Sequence, residues 1–182
     1  RESIAPLLDI EKTEAALGSA RKHWLDISGR VKLRCGDRAM EHYMGTWAVY
    51  QSLACRIMGR SSIYQSGGAI GFRDQLQDSI NLMLIDPDLA RRQILACCRH
   101  QYEEGDVMHW WHEPFTGVRT RNSEDMLFLP YVTAAYVAYT GDAGVLSEPA
   151  AYLEDVAIPE GQGDVYREMR PGMTVESLHG HC

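Results

Sequence analysis

No run of about 18 apolar residues occurs in the chain, so no membrane insertion by this segment is expected. The opening Arg1-Glu-Ser-Ile lacks the charged-then-apolar layout of a secretory leader. A basic surplus is also missing. The formal net charge is −7, and without a basic stripe nucleic acid is set aside as a partner, whereas uncharged or sugar-like ligands are not. CxxC spacing is absent. The 5 cysteines are odd in number and include the vicinal pair Cys97-Cys98, which seldom bridges, so a reducing, cytoplasmic setting is expected. There is no GxSxG, no Walker loop and no dinucleotide fingerprint, since Gly67-Gly68-Ala-Ile-Gly71 lacks a preceding strand and the required spacing. Short-period repeats and low-complexity tracts are likewise lacking.

What remains is the composition of a soluble globular protein, 45% apolar and 24% charged over 182 residues, long enough to bury a core. The first residue is not methionine, and Val175-Glu-Ser-Leu-His-Gly-His-Cys182 resembles the opening turns of a helix that stops abruptly. The chain is therefore expected to be part of a longer polypeptide, with the rest of that polypeptide as a partner and a second copy, as a homodimer, as a candidate.

The stretch with the densest polar chemistry is Tyr64-Gln-Ser-Gly-Gly-Ala-Ile-Gly-Phe-Arg-Asp-Gln-Leu-Gln-Asp78. If the part after Gly71 is helical, Asp74 and Asp78 stand at i and i+4 and share a face with Asn81, opposite Leu76, Ile80, Met83 and Leu84. Like charges at that spacing disfavour a helix by roughly 0.2–0.5 kcal/mol, so Arg73 or the hydroxyls of a sugar should compensate them. Gly67, Gly68 and Gly71 place bare backbone beside the carboxylates. An ordinary solvated face is the plainer reading.

Periodicity predicts a charged amphipathic helix over 8–26, with Leu8, Ala15, Ala16 and Trp24 as contacts. A second helix is predicted over 37–58, capped by Asp37, carrying Met40, Tyr43, Met44, Trp47, Ala54, Ile57 and Met58 at helical spacing, and stopped by Gly59. The Asp74/Asp78 helix ends near Asp86-Pro87. Those two residues start the next helix, predicted to run to about Glu104. Residues 106–122 read as a loop rich in aromatics, histidines and arginines, and 123–139 as a buried helix with Pro130 in its first turn or at a kink, ended by Gly141. Proline, glycine and acids over 147–174 read as a strap. No strands are expected, and the predicted fold is all-α, built of antiparallel helix hairpins.

His109-Trp110-Trp111-His112-Glu113 crowds metal-binding residue types but lacks HExxH spacing and a second cluster, so no metal is expected. Paired indoles suit the apolar face of a pyranose, or they fill a core. Glu124 and Asp125 follow Arg119 and Arg121 and precede an apolar helix. Either they serve the helix dipole, or one is a general acid beside cations that hold an anion. Hydrolytic glycosidases generally need a second carboxylate; a phosphorolytic enzyme does not, because phosphate arrives ionised.

Three ordered segments, Arg60-Ser-Ser-Ile-Tyr-Gln-Ser-Gly-Gly-Ala-Ile-Gly-Phe-Arg-Asp-Gln-Leu-Gln-Asp78, His109-Trp-Trp-His112 and Gly117-Val-Arg-Thr-Arg-Asn-Ser-Glu-Asp-Met-Leu-Phe-Leu-Pro-Tyr131, resemble glycoside hydrolase family 94, formerly glycosyltransferase family 36. The wording is most similar to its β-1,2-glucan branch. The resemblance implies part of an (α/α)6 catalytic barrel, with 1–36 as lead-in helix and linker, 37–146 as barrel helices, 147–174 as strap loop and 175–182 as the start of a further helix. It also implies inverting phosphorolysis or synthesis of a β-glucoside, giving α-glucose 1-phosphate, with inorganic phosphate as co-substrate and no cofactor or metal. The implied partners are a β-glucan oligosaccharide and phosphate. Carried over by position, Arg73, Asp74, Gln77 and Asp78 would bind the donor sugar, with Trp110 and Trp111 as sugar platforms and Arg119 and Arg121 near phosphate or acceptor. The acid would be Glu124 or Asp125; the family usually reads Ser-Asp-Asp where this chain reads Ser123-Glu124-Asp125. A noncatalytic carbohydrate-binding module and a hydrolase using water are the competing readings.

Overall fold

The computed structural model describes residues 4, 9–59, 67–154 and 157–182. Leu8 of the first expected helix and the 60–66 portion of the glycine-rich stretch lie outside the described residues. The chain divides into two compact units, Arg1–Gln51 and Ser52–Cys182.

In the first unit, α1 (Ile10–Ser28) starts at Asp9, whose carboxylate accepts a hydrogen bond from the Lys12 amide at 3.1 Å and so satisfies one of the unpaired donors of a helix start. Its contacts come from Trp24 and Ile27 rather than from Ala15 and Ala16, which face solvent. The next helix begins as α2 (Arg38–His42), with Asp37 accepting from the Ala39 and Met40 amides. It widens into a π-type turn at Tyr43–Trp47 and returns to α geometry in α3 (Ala48–Tyr50). Trp24 packs on Tyr50 and Tyr50 on Trp47, with ring centroids 5.1 and 5.5 Å apart. Beside them lies an apolar cavity of about 700 Å³ lined by Leu17, Trp24, Leu25, Trp47 and Tyr50 among others. A second π-type run, Gln51–Met58, lies almost wholly in the second unit, ahead of Gly59.

The second unit holds the polar chemistry. After β1 (Ile70–Gly71), α4 (Phe72–Leu82) buries Phe72, Gln75, Leu76, Ser79 and Leu82, an i, i+3, i+4, i+7 stripe facing α5 and α6. Asp86 caps α5 (Pro87–Cys98) through the Leu89 amide at 3.0 Å, with Pro87 in the first turn as the sequence predicts. This helix stops at Cys98, short of Glu104, because Gln101 and Tyr102 form extended bridges to Val107 and Leu153. Following a tight 3-10 turn at Asp125–Leu127 comes α6 (Phe128–Thr140), with Pro130 in its opening turn. Gly141 ends it in the left-handed region at φ 75°, a conformation glycine adopts without a Cβ clash.

The all-α expectation is overturned. The segment 106–122 is a β-hairpin of β2 (Met108–His112) and β3 (Thr116–Thr120), not a loop. The strap over 147–174 contains β4 (Pro149–Glu154), β5 (Asp164–Glu168) and the start of β6 (Arg170–Ser177), before α7 (Leu178–His181). Strands β1-β2-β3-β5 make one antiparallel sheet and β4-β6 a two-stranded ribbon. Proline and glycine composition suggested irregular chain, yet Pro149 is the first residue of its strand and Pro171 sits in a ribbon with open edges, where a missing N–H is tolerated. Asp-Val-Tyr-Arg-Glu in β5 shows strict two-residue alternation between exposed and half-buried positions, the period of a strand.

Two buried histidines set an acid limit on this unit. His100 lies between the Ala96 and Pro114 carbonyls, 2.7 and 3.1 Å from its ring nitrogens, and stacks on Trp111 at 3.8 Å. His181 is held by Gln101 and the Ala150 carbonyl and stacks on Tyr152 at 3.9 Å. Burial pushes both imidazoles below the ordinary 6.5, outweighing the carbonyls, which favour the charged ring. The unfolded chain therefore takes up these protons first as pH falls, so their contribution is complete above about pH 6.5 and lost as pH drops through the lower folded values. The urea midpoint is expected to be flat from pH 7.5 to 8.5 and to fall between pH 7 and 5.5. A midpoint unchanged down to pH 5.5 would contradict this.

Candidate functional site

The site is assembled where α4 begins, where the 3-10 turn leads into α6, and along β2. Arg73 and Asp74 stand in the first turn of α4. Arg73 Nη1 donates to Glu124 Oε1, and its guanidinium lies over the Phe128 ring at 5.1 Å. Both partners are partly open to solvent, Glu124 at 55% exposure. Asp125, the next residue, is the reverse: its side chain is 2% exposed. Asp125 Oδ2 accepts from His109 Nδ1 at 2.6 Å and from Asn122 Nδ2 at 3.3 Å. Asp125 Oδ1 and Arg73 Nε are buried with no hydrogen-bond partner among the described residues.

His109 reaches Asp125 because β2 bulges there. Met108 pairs with Arg119 and Trp110 with Val118, so His109 is the extra residue, and a bulge of this kind re-aims a side chain. Its half-exposed ring then lines a pocket of about 370 Å³ with Gly67, Ala69, Gly71, Asp74, Trp110 and His112. A Cβ at Gly71 would stand 2.8 Å from Asp74 Oδ2, the movable end of that side chain, so a larger residue here would displace the Asp74 carboxylate from its place at the wall.

The other predicted site residues are placed as follows. Gln77 is exposed on the same helix. Asp78 accepts from Arg56 Nε at 2.9 Å, so the two carboxylates of the i, i+4 pair part company: one is gripped by an arginine and the other faces the pocket. Trp111, expected among the sugar platforms, is 1% exposed and stacked on His100 in the core, leaving Trp110 as the indole at the pocket. Arg119 is 3% exposed, lies 3.8 Å over the Tyr102 ring, and gives Nε and Nη2 to Asp106, both at 2.7 Å, with Glu104 at 3.1 Å. Burial works against its charge, but the hydrogen bonds and charges of Asp106 and Glu104 win and hold its pKa above the ordinary value. Arg121 donates to the carbonyls of Ile158 and Gln162 at 3.0 and 3.1 Å. Both arginines border a second pocket of about 340 Å³ together with Asn122 and Met126.

Sequence reasoning missed His109 and Asn122 as a pair acting on Asp125. The signal available was the His109-x-x-His112 crowding, which was weighed only as a metal motif. Among the described residues no group of three or more His, Cys, Asp or Glu is placed to hold a metal ion. Cys98, in the vicinal pair, has its thiol pushed up to about 12, chiefly by burial, and is no nucleophile at neutral pH. No described helix is long and apolar enough to cross a membrane.

Helices and antiparallel strands thus form an open pocket walled by the Asp74 carboxylate, two imidazoles and an indole, and pair Arg73, the residue before Asp74, with Glu124, the residue before the Asp125 that holds His109; this is the class of site suited to a polyhydroxylated ligand. The chain belongs to the glycosyl hydrolase 94 superfamily, residues 23–179 matching its catalytic domain. It is 44% identical over 170 residues to the cyclic beta-(1,2)-glucan synthase NdvB of Rhizobium meliloti (strain 1021), covering 92% of this chain and 6% of that protein. It is 22% identical over 194 residues to the N,N'-diacetylchitobiose phosphorylase of Vibrio proteolyticus, covering 91% of this chain and 24% of the relative. With the solabiose phosphorylase of Paenibacillus borealis it shares 29% identity over 130 residues, 71% of this chain and 15% of the relative. The chain spans less than a quarter of the length of each of these curated relatives.

Proposed function

We propose that this chain contributes the acid side of the catalytic site of an enzyme that cleaves or forms β-glucosidic bonds by inverting phosphorolysis, with β-1,2-linked glucan as the sugar. The observation that carries the reading is the Arg73–Glu124 pair, each partner next in sequence to a residue that lines the Asp74, His109 and Trp110 pocket or holds its histidine, in a chain of this family. The name of the R. meliloti relative supports the β-1,2 linkage, and the names of the other two support phosphate as the second substrate.

In the reaction, a phosphate oxygen attacks the anomeric carbon from the face opposite the leaving oxygen. The bond to that oxygen breaks, a proton passes to it, and α-glucose 1-phosphate and a shortened glucan result. The proton donor must touch the leaving oxygen, and of the two adjacent acids Glu124 is the one with its carboxyl in the open. We assign it the acid role, with Arg73 orienting it. Asp125, buried at 2% exposure, is then a positioning residue that holds His109 at the pocket wall. Asp74 and His109 would bind hydroxyls of the donor sugar, whose apolar face would meet Trp110. Arg119 and Arg121, committed to acids and to carbonyls, would shape the wall rather than hold phosphate.

The test is an assay of the full natural chain with β-1,2-glucan, cellobiose and laminaribiose, with and without inorganic phosphate, following glucose 1-phosphate. Phosphate-dependent release from the β-1,2 substrate is expected. Release of glucose regardless of phosphate would establish a hydrolase instead, and sugar binding without turnover of any substrate would establish a binding module.

A further inference from the structure

Strand β5 lies in the proline- and glycine-bounded part of the chain whose composition carries no sign of ligand chemistry. In the sheet, however, Tyr166 stands opposite Val118, and Val118 opposite Trp110, so the three share one face. The Trp110 and Tyr166 rings meet over Val118 with centroids 5.6 Å apart and planes tilted 35°. Val118 is 9% exposed beneath them, while Tyr166 is 59% exposed. Trp110 is at the same time a wall of the Asp74/His109 pocket, where its ring stands nearly perpendicular to that of His112 with centroids 5.7 Å apart. An aromatic surface therefore leaves the pocket and continues out over the sheet.

That surface is bordered by hydrogen-bonding groups. The cross-strand pairs on either side of Val118–Tyr166, on the same face, are Thr116 with Glu168 and Thr120 with Asp164. An apolar stripe with hydroxyls and carboxylates along both margins matches a pyranose chain, whose ring faces present C–H groups and whose rims present equatorial hydroxyls. An aromatic pair that merely covered Val118 would not need Tyr166 to stay more than half exposed.

We propose that Trp110 and Tyr166 form an extended glucan platform, with Tyr166 supplying a subsite for a sugar unit beyond those held at the pocket and at Trp110. This rests on the reading of the pocket as a glucan site, and it adds a length dependence located on β5.

The experiment compares kcat/KM for β-1,2-linked disaccharide and for oligomers of increasing length in the full natural chain. The expected result in Tyr166→Ala is a fall of about tenfold in the ratio of long-chain to disaccharide kcat/KM. Tyr166→Phe, which keeps the ring, restores the ratio, and Tyr139→Ala, an equally open tyrosine on α6, leaves it as in the parent. An unchanged ratio in Tyr166→Ala, or equal losses at every length, overturns the platform while the phosphorolysis reading stands. If the natural chain releases no sugar phosphate from any substrate, that reading fails, and quenching of tryptophan fluorescence by β-1,2-glucan then decides. Weaker quenching in Tyr166→Ala than in the parent supports the platform, and equal quenching in both, or none in the parent, overturns it.

Discussion

Glu124→Gln is expected to lower phosphate-dependent turnover of an unactivated β-glucan by roughly 10²–10⁴-fold, the usual worth of a positioned proton donor. The substitution keeps the shape and the partner at Arg73 but removes the transferable proton. A substrate whose leaving group needs no proton, such as an aryl glucoside with an acidic phenol, should therefore lose far less. That selective rescue is the signature of a lost acid, and a merely structural defect would not produce it. Asp125→Asn should behave differently. Its side chain does not reach solvent, and the change disturbs a buried partner of His109 and Asn122, so losses should appear with activated and unactivated substrates alike. If rescue by the acidic leaving group occurs in Asp125→Asn and not in Glu124→Gln, the two roles are exchanged.

Gly117→Ala should have the largest effect on stability of any single-methyl addition in the hairpin. A Cβ at this position would lie 2.2 Å from the Trp110 carbonyl oxygen and 2.6 Å from Trp111 Cα, both backbone atoms of the paired strand, and 2.7 Å from Met108 Cε. The methionine can move aside; the strand cannot without breaking the pairing that carries His109 and Trp110. Overpacking of this kind costs about 3 kcal/mol, which in a chain of this size lowers the melting temperature by roughly 6–12 °C. Thermal unfolding followed by circular dichroism measures it. A melting temperature within about a degree of the parent would mean that the hairpin has slack there which the structure lacks.

Several helix starts and stops were legible in the sequence because each rests on one residue's local chemistry, although the end of α5, expected near Glu104, falls at Cys98. Asp37, Asp86-Pro87 and Gly141 do what their caps require whatever packs around them. The strands were not legible, for a different reason. In 106–122 the indoles and histidines suggested a ligand loop, yet Met108 and Trp111 face the core and His109 is a bulge, which breaks the alternation by which a strand is recognised. In β6 and β4 the prolines suggested strap, and only the pairing shows that they occupy edge positions. The family resemblance, drawn from motifs, was correct about kinship and gave an all-helical fold that these strands contradict. Within the site, Glu124 and Asp125 could not be separated by reading, because one precedes the 3-10 turn and the other opens it, so the neighbours differ in direction and in burial, 55% against 2%. Arg119 reads as a free cation only until Glu104 and Asp106 are seen folded against it.

The sheet's two faces are written into alternate letters of one short word. Along β3, Gly117 and Arg119 belong to the side of the close strand approach and the buried ion pair, whereas Val118 belongs to the side of Trp110 and Tyr166. Adding or deleting a single residue within the strand would hand the guanidinium to the aromatic side and the valine to Asp106, spoiling both faces at once. Substitutions can be absorbed here one at a time, but changes of length can be inherited only in pairs, so the spacing of this hairpin should drift more slowly among descendants than the identity of its letters.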